Sequence, residues 1–236
     1  MYYSYYRLSE DLDFSLYQPD CSTTRGIRRK CIEPIKNNIE NFAKQFGMHI
    51  EEAQNAGRNE SRQYVYSFVY NSVTLPSRQT IKVEIGLRFN PLTKVETMPI
   101  KHKFLHPFTG EPLFNGGKVN CLSLKELVSE KLRAAALRKP IAPRDFYDLD
   151  FILRQGFNLA DRKTIDLFKN KIEEDGGDTA LEKYKINLGR SDLEIKEMRS
   201  RIKEELFAVL TASERKNFDL DKALNRINTA LGDKHG

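Results

Sequence analysis

The sequence predicts an α+β chain, with a sheet-bearing α/β domain over residues 1–120 and an all-helical domain over 121–236. Three observations carry that reading. Strand-like and helix-like periods alternate between Leu12 and Phe89, and helical periodicity is continuous from Ser123 onward. No internal repeat or low-complexity linker separates the two halves. With 236 residues, 39% of them hydrophobic, the chain can bury a real core and is not a disordered sequence.

Residues 12–17 form a short apolar run that suits a strand. A long amphipathic helix is expected over 24–46, with Ile27, Cys31, Ile35, Ile39, Phe42 and Phe46 at helical spacing and Gly47 as its stop. Pro34 inside it predicts a kink or a break. Residues 48–54, 62–70 and 78–89 read as strands, the last two rich in β-branched and aromatic side chains. Further extended pieces are expected at 94–104 and 118–122, with Asn115-Gly116-Gly117 as the turn former. Ser123-x-x-Glu126 and Ser191-x-x-Glu194 are capping-box signatures. Helices are expected at 124–138, 143–155, 162–174, 178–187, 192–210 and 219–231, divided by Gly156, Gly176-Gly177 and Gly189.

No window approaches the ~18 uncharged apolar residues of a membrane span, and the N-terminus has no apolar signal-peptide core. Cys21, Cys31 and Cys121 are odd in number and form no CxxC, so reduced thiols in a cytoplasmic protein are expected. They give a zinc site no thiolate cluster, and His102 and His106 read as an ordinary pair in strand or loop. The net charge of +6 is concentrated before residue 121, where 16 basic residues face 12 acidic ones, against 23 and 21 beyond it. That balance permits a polyanionic partner such as RNA or a nucleoside triphosphate without requiring one.

Three constellations can carry chemistry. In a strand, Asp11 and Asp13 point to one face about 7 Å apart. Such a pair suits Mg²⁺, which binds through one or two carboxylates plus phosphate oxygens; without a cation it is a solvated acidic turn. Glu84 follows Lys82 on one face of an apolar strand and becomes a third acid if that strand neighbours the first; otherwise it is half of a cross-strand charge pair. In the helical half, Lys131 lies in the middle of an arc of Leu124, Leu127, Val128, Leu132 and Ala135. Asp145 falls in the facing arc of Phe146, Leu149, Ile152 and Leu153, which leaves either a functional pair or a structural ion pair. The row Tyr64, Tyr66, Phe68 and Tyr70 stacks nucleotides or, more simply, packs the sheet. Arg25, Arg28, Arg29 and Lys30 form either an RNA-binding face or a solvated one.

The segment Tyr6-Arg7-Leu8-Ser9-Glu10-Asp11-Leu12-Asp13-Phe14 resembles the "H-R-x-S-x-D-x-D" motif of AbiEii/AbiGii-type nucleotidyltransferases, which include the MenT toxins. Glu130-Lys131-Leu132-Arg133-Ala134 and Arg144-Asp145-Phe146-Tyr147-Asp148-Leu149 are similar to that family's second signature. The resemblance covers residues 5–155. It implies a polymerase-β-like nucleotidyltransferase sheet domain followed by a helical bundle, in the toxin of a type IV-like toxin–antitoxin or abortive-infection system. By that analogy Asp11, Asp13 and Glu84 hold Mg²⁺ (or Mn²⁺) on an NTP, with catalysis shared by Asp145 or its neighbour Asp148. Ser9, Arg7 and Lys131 serve the phosphates, RNA or the tRNA 3′ end accepts the nucleotide, and an antitoxin protein is the partner.

One departure accompanies the resemblance. Family members carry a glycine-rich turn upstream of the D-x-D strand, whereas ten residues precede Asp11 here and none is glycine. Such a turn offers backbone N–H groups to phosphate. Two expectations follow: the start lies further upstream, or the chain is a degenerate, weakly active or inactive member that binds RNA or protein.

Overall fold

The structure, a computed structural model, describes residues 11–17, 24–51, 57–73, 75–88, 90–100 and 105–232. The chain divides after Pro91 into two compact units.

The first unit is a four-stranded mixed sheet and one helix. Strands β1 (Asp11–Ser15), β2 (His49–Ile50), β3 (Gln63–Asn71) and β4 (Arg78–Gly86) lie in the order β1-β4-β3-β2. The β2–β3 and β3–β4 pairs are antiparallel, and β1 joins β4 in parallel. Helix α1 (Arg25–Gln45) starts where the Thr24 hydroxyl accepts the Ile27 N–H. The break expected at Pro34 is absent. Buried Ile32, Ile39 and Ala43 pin both halves of the helix into one core, and Asn38 donates to the Pro34 carbonyl at 2.8 Å.

That core settles the aromatic row. Tyr64, Tyr66 and Phe68 are buried with Ile85 and Leu87 beside the α1 residues, so these three pack the sheet and are closed to nucleotides, while Tyr70 near the end of β3 is half-buried. Burial pushes the Tyr66 hydroxyl up to about 12. The basic cluster also divides. Arg25, Arg29 and Lys30 are exposed, but Arg28 is buried and donates twice to the Glu60 carbonyl, at 2.9 and 3.2 Å. It thereby braces Asn59, Glu60 and Ser61, three consecutive residues with left-handed φ.

The second unit opens with an antiparallel ribbon, β5 (Glu96–Pro99) on β6 (Lys118–Cys121). Helices α2 (Leu124–Leu137), α3 (Pro143–Arg154), α4 (Arg162–Glu174), α5 (Asp192–Glu205), α6 (Ala212–Asn217) and α7 (Leu220–Gly232) follow. Helix α2 packs on α3 and α4, and α3 on α5 and α7, around Val128, Leu132, Phe146, Phe168, Met198 and Ile227.

The ribbon groups with the helices, whereas periodicity placed the change of character near residue 120. The Glu126 carboxylate explains the difference, because it accepts the backbone N–H groups of Leu92 and Thr93 at 2.8 and 2.9 Å. Residues 178–187 are not one helix but short 3₁₀ turns at Leu181–Tyr184 and Asn187–Gly189. Asn187 and Leu188 take left-handed φ so that Tyr184 and Leu188 can both enter the core. The helix expected over 192–210 stops at Glu205, and α6 was not foreseen. Among the described residues no helix is long and apolar enough to cross a membrane.

Candidate functional site

The parallel register between β1 and β4 sets Asp11 opposite Lys82 and Asp13 opposite Glu84. Side chains alternate along each strand, so all four share the face turned away from the Tyr64–Tyr66 core. The strand adjacency on which the third acid depended is therefore present. Lys82 Nζ lies 3.6 Å from Asp11 Oδ2 and 3.8 Å from Glu84 Oε2. Gln63, on the neighbouring β3, donates to Glu84 Oε1 at 2.6 Å and fixes that carboxylate. Asp11 and Glu84 are 30% and 29% exposed and Lys82 is 42% exposed, so water reaches every charge.

Three carboxylates in one row are hard oxygen donors of the kind Mg²⁺ takes, and in that respect they fit the ion. Among the described residues, however, no three acidic, histidine or cysteine side chains are already gathered as a metal site. An ammonium stands between two of the acids instead. Arg7 and Ser9 lie outside the described residues, as do Cys21 and His102. His106 accepts the Thr109 N–H through its Nδ1.

A second cluster is built between α2 and α3. Pro143 starts α3 and places Asp145 in its first turn, where the helix dipole favours a carboxylate. Lys131 Nζ lies 2.7 Å from Asp148 Oδ2 and 3.8 Å from Asp145 Oδ1, and Arg138 Nε lies 3.0 Å from Asp145 Oδ2. The pairing expected from the two arcs is present, but Asp148 is the direct partner of Lys131. Asp145 is shared with Arg138, which sequence reasoning missed. Both aspartates are buried, and neither oxygen of Asp145 makes an aligned hydrogen bond.

A third network was also missed. Lys171 is buried on α4 and lies 2.9 Å from both Glu126 and Glu130. Arg133 joins Glu130 to Asp175. Burial pushes the Glu126 carboxyl up, but the Leu92 N–H, Lys171 and Thr93 outweigh it and hold the group below its ordinary value. Burial likewise pushes the Lys171 ammonium down, and Glu130 and Glu126 more than restore it. This network ties the start of the unit to α2 and α4. Its signal was available in the sequence: Lys171 adjoins Phe168 and Ile172 much as Lys131 adjoins Val128 and Leu132.

Residues 1–231 match the profile of the family described as "Nucleotidyl transferase AbiEii toxin, Type IV TA system". The chain is similar over 99% of its length to a crystal structure described as a "putative nucleotidyltransferase from H. pylori", at 17% identity and a TM-score of 0.47, covering 80% of that chain. It is also similar over 99% of its length to the crystal structure of JHP933 from Helicobacter pylori, at 16% identity and a TM-score of 0.48, covering 78% of that chain. No curated protein matches the chain.

Proposed function

The chain belongs to the AbiEii family of nucleotidyl transferase toxins, and from that premise we propose that it moves a nucleoside monophosphate from an NTP to an RNA acceptor, with the tRNA 3′ end as first candidate. The single observation that supports this most is the β1–β4 register, which aligns Asp11, Asp13 and Glu84 on one open face. Asp11 and Asp13 hold the divalent cation, Mg²⁺ or Mn²⁺, and Glu84 completes the set. When bound, that ion supplies Lewis-acid stabilisation of charge on the triphosphate.

The chain's own residues supply the rest. A carboxylate of the row takes the proton of the attacking hydroxyl, whose oxygen bonds to the α-phosphorus as the bond to the pyrophosphate leaving group breaks. This requires the carboxylate to lie within hydrogen-bond reach of that hydroxyl. Gln63 keeps Glu84 from turning away. Lys131 neutralises phosphate charge from the position in which Asp148 and Asp145 hold its ammonium. Arg7 and Ser9 support the phosphate end. In a toxin of this kind an antitoxin protein is the natural regulator.

The test is direct. The protein is incubated with each labelled NTP, Mg²⁺ and tRNA, and label is followed into RNA. Transfer is expected with at least one NTP, and it should disappear on chelation and fall steeply in Asp13→Asn. Failure with every NTP, alongside retained RNA binding, would replace the enzyme with a binding module.

A further inference from the structure

We infer that Lys82 is the resident counter-ion of the acidic row: it stands in for a divalent cation in the metal-free protein and sets how tightly that cation is held. The inference rests on the metal-dependent reading above and adds to it a competitor built into the chain.

Register places Lys82 where no other side chain of β4 could serve. It sits directly across from Asp11 and two residues before Glu84, so its stem rises from the same face between the two acids. Carboxylates brought this close repel one another unless a cation lies with them. Lys82 supplies that cation without locking it. Its contacts of 3.6 and 3.8 Å are too long for direct hydrogen bonds, whereas Lys131 meets Asp148 at 2.7 Å. An ammonium on a flexible four-carbon stem, 42% exposed, can swing into water at small cost. Glu84 need not move with it, because Gln63 holds its other oxygen. The acids are thus kept together and in place, and an arriving ion must displace the lysine.

Mn²⁺ binding to the nucleotide-free protein of 236 residues, measured by calorimetry, tests this. Lys82→Gln should bind Mn²⁺ about three- to tenfold more tightly than wild type, the size expected on losing two half-exposed contacts. Lys82→Arg should bind no more tightly than wild type. Lys44→Gln, which removes an equal charge from the last turn of α1, should stay within about twofold of wild type. The thermal shift produced by Mn²⁺ should also be larger for Lys82→Gln. Equal or weaker binding by Lys82→Gln, or equal tightening by Lys44→Gln, would overturn the role of Lys82 and leave the metal reading standing. Absence of Mn²⁺ binding in both wild type and Lys82→Gln would instead remove the metal reading, and the inference with it.

Discussion

On the sheet, Lys82 stands 3.6 Å from Asp11 and 3.8 Å from Glu84, with each of these side chains at least 29% exposed. Between the helices, Lys131 stands 2.7 Å from an Asp148 that is wholly buried, with buried Asp145 also in reach. The residue types are the same and the physical consequences are opposite. Exposed, loosely paired charges contribute little to stability, so they can change partners freely. Buried charges have already been stripped of water, and removing one partner leaves the other stranded. The sheet cluster is built for exchange and the helical cluster for holding position.

The largest effect should come from the buried side of this contrast. Asp148→Ala is expected to cost about 2–3 kcal/mol in chemical denaturation, because it removes the nearest partner of Lys131 and leaves it only Asp145, 3.8 Å away. A cost below about 1 kcal/mol would erase the distinction. Next, Asp13→Asn should lower nucleotide transfer about 10²–10³-fold while leaving the unfolding midpoint where it was. A parallel loss of stability would mean that the sheet acids are structural too.

Acid should also separate the regions. Glu126 is held below its ordinary carboxyl value of 4.5, so it contributes stability above that value and loses it as pH falls through the folded-state pKa. Urea midpoints compared at neutral and strongly acidic pH should fall, and the fall should shrink in Glu126→Gln. The smallest effect should belong to Glu84→Gln, at under about 1 kcal/mol of stability. A larger loss would show that the row is less open than its exposure implies.

How much of this was legible follows from the range of each interaction. The period of two placed Asp11 and Asp13 together, and Lys82 with Glu84, because strand alternation is local. That β1 pairs with β4 had to be supplied as a condition, since no local signal records a parallel pairing. The apolar arcs located Lys131 and Asp145, yet a helical wheel gives direction without distance, and the shorter contact belongs to Asp148. Glu126 is the instructive case. Ser191 and Glu194 form the full reciprocal cap that their spacing announces. Ser123 accepts the Glu126 N–H as the same signature predicts, but the Glu126 carboxylate goes to Leu92, Thr93 and Lys171 instead. A local motif lost half of its hydrogen bonding to partners more than 30 residues away. Residues 178–187 failed for a similar reason, since the burial of Tyr184 and Leu188 overrode helical propensity.

The parallel contact of β1 with β4 also sets an order of events during folding. The antiparallel β3–β4 pair joins neighbours in the chain, whereas β1 must wait for a partner about 70 residues downstream. A growing polypeptide therefore has no complete acidic row until β4 has been made and paired. The proposed chemistry cannot begin before roughly the first third of the chain has been made, however early β1 leaves the ribosome.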